Sequence, residues 1–391
     1  MQVKNSFSVQ PSKRQSVKHF KKNTLGLLAE YLTKSINHNT PCMQHCELGI
    51  KQFIRQSFMK KNLIKNLASS LLALMSCLSI SAYSQSSGNY PLKPITFIVP
   101  FPAGGSSDSV SRTIAHKLSL QIGQPVLIEN HAGAGGTIGC DIVAKANPDG
   151  YTLLITTTST HGIGAALNKK TPFNYDNDFT PIIHLATAPN IFLVTKQIPV
   201  TNLKEFVAYG KSHPDSLNFG SAGTGTIMHL TGESFKAETG VDMLHIPYKG
   251  SSLAMPDLIS GKIQVIFDSI VSGIQHVEDG KLTAIAVTGK RRSNLLPNVP
   301  TLMEIGAPYG LNKFVSENWW GLYGPKNLPP SIVEKLNSEL NKALQSSEVK
   351  EQLAKLGADT GGGTPKAFKE LVLEDRERWA KLIKDNKITI D

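Results

Sequence analysis

Three short stretches hold the residues with the most to offer chemically. They are Pro102-Ala103-Gly104-Gly105-Ser106-Ser107-Asp108, Thr156-Thr157-Thr158-Ser159-Thr160-His161 and Gly220-Ser221-Ala222-Gly223-Thr224-Gly225-Thr226. Each mixes small residues with hydroxyls, and each stands where an apolar run gives way to a helical pattern. Glycine lets backbone N–H groups approach an anion closely, and the first turn of a helix offers unpaired N–H donors and a positive dipole end. Ser and Thr add rotatable donors. Such loops suit a carboxylate or phosphate without a bulky cation. The plainer reading is turn chemistry, with Ser107 or Asp108 only capping the helix that follows. Three loops of one kind in one chain favour binding. Asp268 joins the candidates because it ends the apolar strand Ile263–Phe267, where it either meets an ammonium or caps the next segment.

The elements that must carry these loops alternate. Ile95–Val99 reads as a buried strand, and Val110, Ile114, Leu118 and Ile122 then fall on one helix face, closed by Gly123. Val126–Ile128, Tyr151–Thr156, Leu217–Gly220 and Ile263–Phe267 are further strands, with helical patterns between them. Such alternation predicts an α/β fold of mainly parallel sheets flanked by helices. In open sheets of this kind ligands bind beyond the carboxyl ends of the strands, where the three loops lie. Ile191–Thr195 and Trp319–Pro325 read as crossovers. They place one lobe at 90–194 plus 321–391 and a second at 195–320, joined by two crossing strands around a cleft.

Charge and cysteines limit the partners. The 391 residues carry a formal charge of +11. Residues 1–84 hold 12 of the 41 Lys and Arg but two of the 30 Asp and Glu, leaving 29 against 28 and a net +1 for 85–391. The basic character therefore belongs to the N-terminal segment, and no nucleic-acid partner is expected. Met59-Lys60-Lys61, the apolar run Leu67–Ile80 and Ala82-Tyr83-Ser84 have the grammar of a signal peptide over 59–84. Residues 1–58 then read as an upstream extension outside the mature protein. Lipidation at Cys77 is the alternative anchor. Cys140 alone of the four cysteines follows the signal, on a helix, and reads as a small core residue. Gly133-Ala134-Gly135-Gly136-Thr137-Ile138-Gly139 lacks the dinucleotide-binding spacing, and no P-loop, nucleophile elbow or zinc-protease motif occurs. His229 and His245 read as structural, or as hydrogen-bonders behind the site. Lys290-Arg291-Arg292 reads as a solvated turn.

Taken in order, further motifs carry a resemblance. Val99-Pro100-Phe101-Pro102-Ala103-Gly104-Gly105, Glu129-Asn130-His131-Ala132-Gly133 and Asn147-Pro148-Asp149-Gly150-Tyr151 come first. Phe219-Gly220-Ser221-Ala222-Gly223, His245-Ile246-Pro247-Tyr248-Lys249-Gly250 and Leu296-Pro297-Asn298-Val299-Pro300-Thr301 follow. Over Tyr90 to Lys384 the chain resembles the Bug family of periplasmic solute receptors, the extracytoplasmic component of tripartite tricarboxylate transporters. The resemblance implies a two-lobed periplasmic-binding-protein fold that closes about a hinge. It implies a small carboxylate ligand, pinched between two loops and partly held through water. By motif these loops are Phe101 to Asp108 and Gly220 to Thr226, with Ser159, Thr160 and Tyr248 as further candidates. Thr226 stands where Ser is usual, and 168–175 departs from the family pattern. The expected protein is a periplasmic, monomeric, non-enzymatic receptor without cofactor or metal, delivering its ligand to a membrane permease. An enzyme acting on a carboxylated molecule, or a sensor for a signalling partner, is the alternative.

Overall fold

The computed structural model describes residues 90–167 and 170–388. The expected signal at 59–84, the extension before it and Cys77 lie outside the described residues, as do Asn168 and Lys169.

Three strands open the fold. β1 (Ile95–Val99) lies between β2 (Val126–Asn130) and β3 (Thr152–Thr157), all parallel. α1 (Ser106–Ile122) links β1 to β2, and α2 (Thr137–Ala144) links β2 to β3. On α1, Val110, Ile114 and Leu118 are fully buried against β1 residues such as Phe97 and Val99, as the four-residue spacing requires. Gly123, at φ +69°, ends the helix in the left-handed region. A second set of units follows β4 (Phe179–Thr195) and α3 (Leu203–Ser212). It runs β5 (Asn218–Ser221), α4 (Ile227–Thr239), β6 (Leu244–Pro247), α5 (Ser251–Ser260), β7 (Val265–Ser269), α6 (Ile270–Glu278) and β8 (Leu282–Val287). β5 is parallel to both β6 and β7.

Two strands join the sets. Phe179–Pro189 of β4 pairs antiparallel with β9 (Glu317–Pro325), while Asn190–Val194 pairs antiparallel with β7. β9 also runs antiparallel to β3. The strand order is β2-β1-β3-β9-β4-β7-β5-β6, with β8 and β10 (Asp359–Gly362) also paired to β4. The sheets are therefore parallel at their outer strands and antiparallel at the joint, because β4 and β9 pass between the two halves in opposite directions. After β9, α7 (Pro330–Gln345), α8 (Ser347–Lys355) and α9 (Pro365–Asp385) return to the first half, where α7 and α8 pack on α1.

One large core runs through both halves, and a second cluster fills the far side of the second half. The second half centres on Phe192, Phe206, Phe219, Phe235 and Phe267. Phe192 stacks on Phe267 at 4.6 Å and meets Phe206 and Phe235 edge-on at 4.8 and 5.0 Å. In the first half Cys140 packs with Ile98, Val143 and Leu154, and burial pushes its thiol up. That is the chemistry of a core residue, not of a nucleophile. Arg291 and Arg292 of the basic turn are exposed and pair with Asp359 and Glu304 at 2.8 Å each.

Candidate functional site

The first loop is shaped by its own sequence. Pro100 and Pro102 cannot donate to a strand ladder, so β1 stops at Val99. Gly104 turns at φ +77°, and Gly105 is the extended residue before α1. Asp108 braces the turn from within. Its carboxylate accepts hydrogen bonds from Gly104 N (3.1 Å), Asn130 Nδ2 (3.1 Å) and Arg112 Nε (3.0 Å). Burial pushes the Asp108 carboxyl up, but the bonds from Arg112, Gly104 and Asn130 together outweigh it and hold the group below the usual carboxylate range. Asp108 is thus committed to the loop and stands off the cavity wall, as do exposed Ala103 and Gly104. Asp108→Ala should cost about 1–3 kcal/mol of stability and weaken ligand binding, since it frees the loop backbone. Urea unfolding and titration of the same variant check this. Unchanged binding would show that the loop needs no such brace.

The glycine run before α2 also supports this loop. A Cβ on Gly139 would sit 2.8 Å from Pro100 Cα, and one on Gly136 2.6 Å from Thr160 Cγ2. Gly139 is small because the Pro100 backbone passes close by, and Gly136 because the Thr160 side chain does.

The second loop, between β5 and α4, rests on two histidines. Ser221 Oγ accepts from Gly223 N (3.1 Å) and bonds His245 Nε2 (2.7 Å). Thr226 Oγ1 donates to Gly223 O (2.7 Å), and His229 Nδ1 accepts from Gly225 N (3.1 Å). The His229 and His245 rings stack at 3.8 Å, with Phe219 beside them. Ser221 and Thr226 are fully buried, so their hydroxyls shape the loop and do not line the cavity. Burial, aided by Lys236, lowers the His245 pKa to about 4. Burial, with Arg376 nearby, lowers that of His161 to about 3. Neutral histidine is the folded form, so the unfolded chain takes up protons first as pH falls below about 6.5. This stability is present above pH 6.5 and is lost on acidification toward 4. The thermal midpoint should fall by at least about 5 °C between pH 6.5 and 4.5, and His245→Gln should flatten that slope. A midpoint level across this range would contradict the assignment.

The third loop forms a wide helical turn over Thr158–Ile163. Thr160 Oγ1 is spent locally, accepting from Thr157 N and donating to Thr157 O. Ser159 instead reaches the other half of the molecule, where its Oγ accepts from Ile227 N at 3.1 Å. Two further contacts link the halves. Ser252 Oγ donates to Ala103 O (3.2 Å), and Gly250 packs directly on the Pro102 ring.

Between the halves lies a cavity of about 40 Å³. Of the expected residues, Phe101, Gly105, Ser106, Ser107, Ser159, Ala222 and Asp268 line it. Gly223, Thr224 and Tyr248 face a different hollow of about 740 Å³, shared with Lys170 and Lys249. The Tyr248 hydroxyl donates to Asp257 Oδ2 at 2.8 Å. Pro102 and Thr157 of the same loops line it too, as do Asn190, Ile227, Met228, Ser251, Ser269 and Asn318, which escaped the sequence reading. Among the described residues that line it, none is Lys, Arg or His.

The donors that remain come from two helix starts and a few hydroxyls. Ser106 and Ser107 open α1, and Met228 follows Ile227 at the start of α4, where Ile227 N is already given to Ser159 Oγ. Ser107 Oγ accepts from Trp320 Nε1 (3.0 Å), which leaves its own hydrogen to give. Asp268 is 2% exposed. Burial raises its pKa to about 6 against bonds from Ser272, Ser269 N and Ser251. Among the described residues no group of three or more His, Cys, Asp and Glu could hold a metal ion.

Two α/β halves, joined by strands that run in opposite directions and meeting around a cavity, define a two-lobed protein of the periplasmic-binding-protein type. Comparison with known proteins agrees and goes further. The model for the tripartite tricarboxylate transporter family receptor matches residues 110–388. The protein BugT of Bordetella pertussis is 35% identical over 301 residues, covering 77% of this chain and 91% of BugT. Two solved structures from Rhodopseudomonas palustris are similar over about three quarters of this chain. One, with adipate, has a TM-score of 0.74 at 33% identity and covers 77% of this chain and 99% of its own. The other, MatC with bound malate, has a TM-score of 0.71 at 35% identity and covers 75% and 100%. The chain belongs to the tripartite tricarboxylate transporter receptor family, and the expected membership and two-lobed fold are both borne out.

Proposed function

We propose that this protein binds one small organic carboxylate in the cavity between its lobes and delivers it to the permease of a tripartite transporter. The observation that carries the reading is the pairing of two helix starts, at Ser106–Ser107 and at Met228, on one cavity without a cationic side chain. Backbone N–H groups and hydroxyls at such ends hold an anion with no lysine or arginine. The adipate and malate found in two relatives support the same ligand class. The ligand is released unchanged, and the chain acts as a monomer. It is exported by the segment 59–84 to the periplasm.

The lobes of this reading are 90–194 with 321–391, and 195–320. β4 changes partners between Pro189 and Asn190, which puts the bend just inside the first boundary. Closure follows from differential binding, since a ligand that touches both lobes favours the state in which they meet. Native mass spectrometry of the protein purified from the periplasm tests this. The expected result is one carboxylic acid bound per chain, exchangeable with added acid. Protein proven free of ligand that gains no thermal stability from a broad panel of organic acids would overturn it.

A further inference from the structure

The cavity floor carries acceptors in excess. Asn190 and Asn318 sit on β4 and β9, where the lobes join, and are 0% and 7% exposed. Each has a side-chain oxygen Oδ1 that is buried without a hydrogen-bond partner, and both residues line the cavity. Asn190 Nδ2 donates to Ser316 Oγ at 3.2 Å, which turns its oxygen from that contact. Asp268 lines the same cavity. Its carboxylate accepts from Ser269 N (2.8 Å), from Ser272 Oγ (2.7 Å) and from Ser251. A carboxylate has about four acceptor sites, so one remains. A buried polar atom left unpaired is costly, so unpartnered acceptors on residues that line one cavity favour a ligand that brings hydrogen to them.

We infer that the bound carboxylate carries a hydrogen-bond donor beside its acid group, a hydroxyl or an ammonium, which meets Asn190, Asn318 and Asp268 on the hinge strands. The inference rests on the carboxylate reading above and narrows it to hydroxy acids and amino acids. The acid group lies at the starts of α1 and α4, and the donor points to the floor. A plain alkyl acid satisfies the helix ends but leaves the three acceptors dry. A hydroxyl supplies one donor and an ammonium three. The two sources share this chemistry and are separated by affinity.

Matched acids of equal carbon skeleton test it, with affinities measured by calorimetry. The sets are propionate, lactate and alanine; succinate, malate and aspartate; and glutarate, 2-hydroxyglutarate and glutamate. In the length class that binds tightest, the hydroxy or amino member should bind at least about tenfold tighter than the plain acid. Asn318→Ala should shrink that preference to within about threefold, and Asp268→Asn should weaken an amino acid most. A plain acid that binds as well as its partners in every set would overturn the inference and leave the carboxylate reading standing. It would mean that the two amides turn their N–H₂ groups inward. A preference that survives in both variants would also overturn it. If no acid of any length binds, the carboxylate reading itself falls.

Discussion

Replacing Gly250 by alanine should weaken ligand binding about 100-fold, close to 3 kcal/mol, while leaving the ligand-free protein as stable as before. A Cβ at this position would lie 2.3 Å from Pro102 Cδ and 2.5 Å from Pro102 Cγ. Pro102 belongs to the first lobe and Gly250 to the second. A proline ring has no rotamer by which to retreat, so the lobes must part to admit the methyl group. The Gly250 backbone is extended at φ 166°, a conformation that any residue adopts, so the second lobe folds without strain. The loss therefore falls on closure and not on folding, as overpacking costs of 1–3 kcal/mol would produce. Titration and thermal unfolding of Gly250→Ala separate the two effects. Wild-type affinity would mean that the ligand is held without the Gly250–Pro102 contact. A thermal midpoint lower by about 5 °C or more without ligand would mean that the glycine serves folding.

The second large effect concerns the strand on which closure turns. Phe192 lies two residues beyond Asn190 on β4 and is fully buried. Its ring packs against Phe206, Phe235 and Phe267, which come from α3, α4 and β7. Phe192→Ala should cost about 3–5 kcal/mol, the usual range for removing a buried ring. The midpoint of urea unfolding should drop accordingly. Because β4 also belongs to the first lobe, the loss should appear in both lobes at once, read by tryptophan fluorescence from Trp319 and Trp320 on β9 and from Trp379 on α9 of the first lobe. A change below about 1 kcal/mol would show that the aromatic cluster collapses to fill the space. A fluorescence transition that leaves the Trp379 signal intact would show that the lobes melt independently.

Much of this was legible in the sequence for definite reasons. The α1 face of Val110, Ile114 and Leu118 is set by helix geometry, so spacing alone reveals it. The two loops proposed to hold the anion are marked by glycines and hydroxyls where strands give way to helices. Seven of the expected site residues do line the cavity, Ser107, Ser159 and Asp268 among them. What stayed hidden depends on direction. Asp108, Thr160, Ser221 and Thr226 have the right chemistry in the right loops, but their side chains turn back to hold the turn that presents their neighbours. Local hydrogen bonding by such residues competes with ligand binding, and residue type cannot distinguish them. Asn190 and Asn318 were missed for another reason. They stand in apolar strands, not in glycine-rich loops, and meet the cavity only because β4 and β9 cross beneath it. One signal was available: each is an amide in a run of buried residues, where polar groups are seldom placed without a partner. The antiparallel joint was likewise obscure, because periodicity marks a strand without giving its direction.

A small carboxylate that touches both lobes should draw them together. In the chain 85–391, whose one cysteine is buried Cys140, spin labels at Leu120→Cys on α1 and Lys211→Cys on α3, both exposed sites, report the distance between the lobes. Double electron–electron resonance on ligand-free protein, before and after adding a bound carboxylate, is the direct test. A broad, longer distance distribution should become narrow and shorter with the acid. A carboxylate that binds yet leaves the distribution unchanged would mean that binding does not close the lobes.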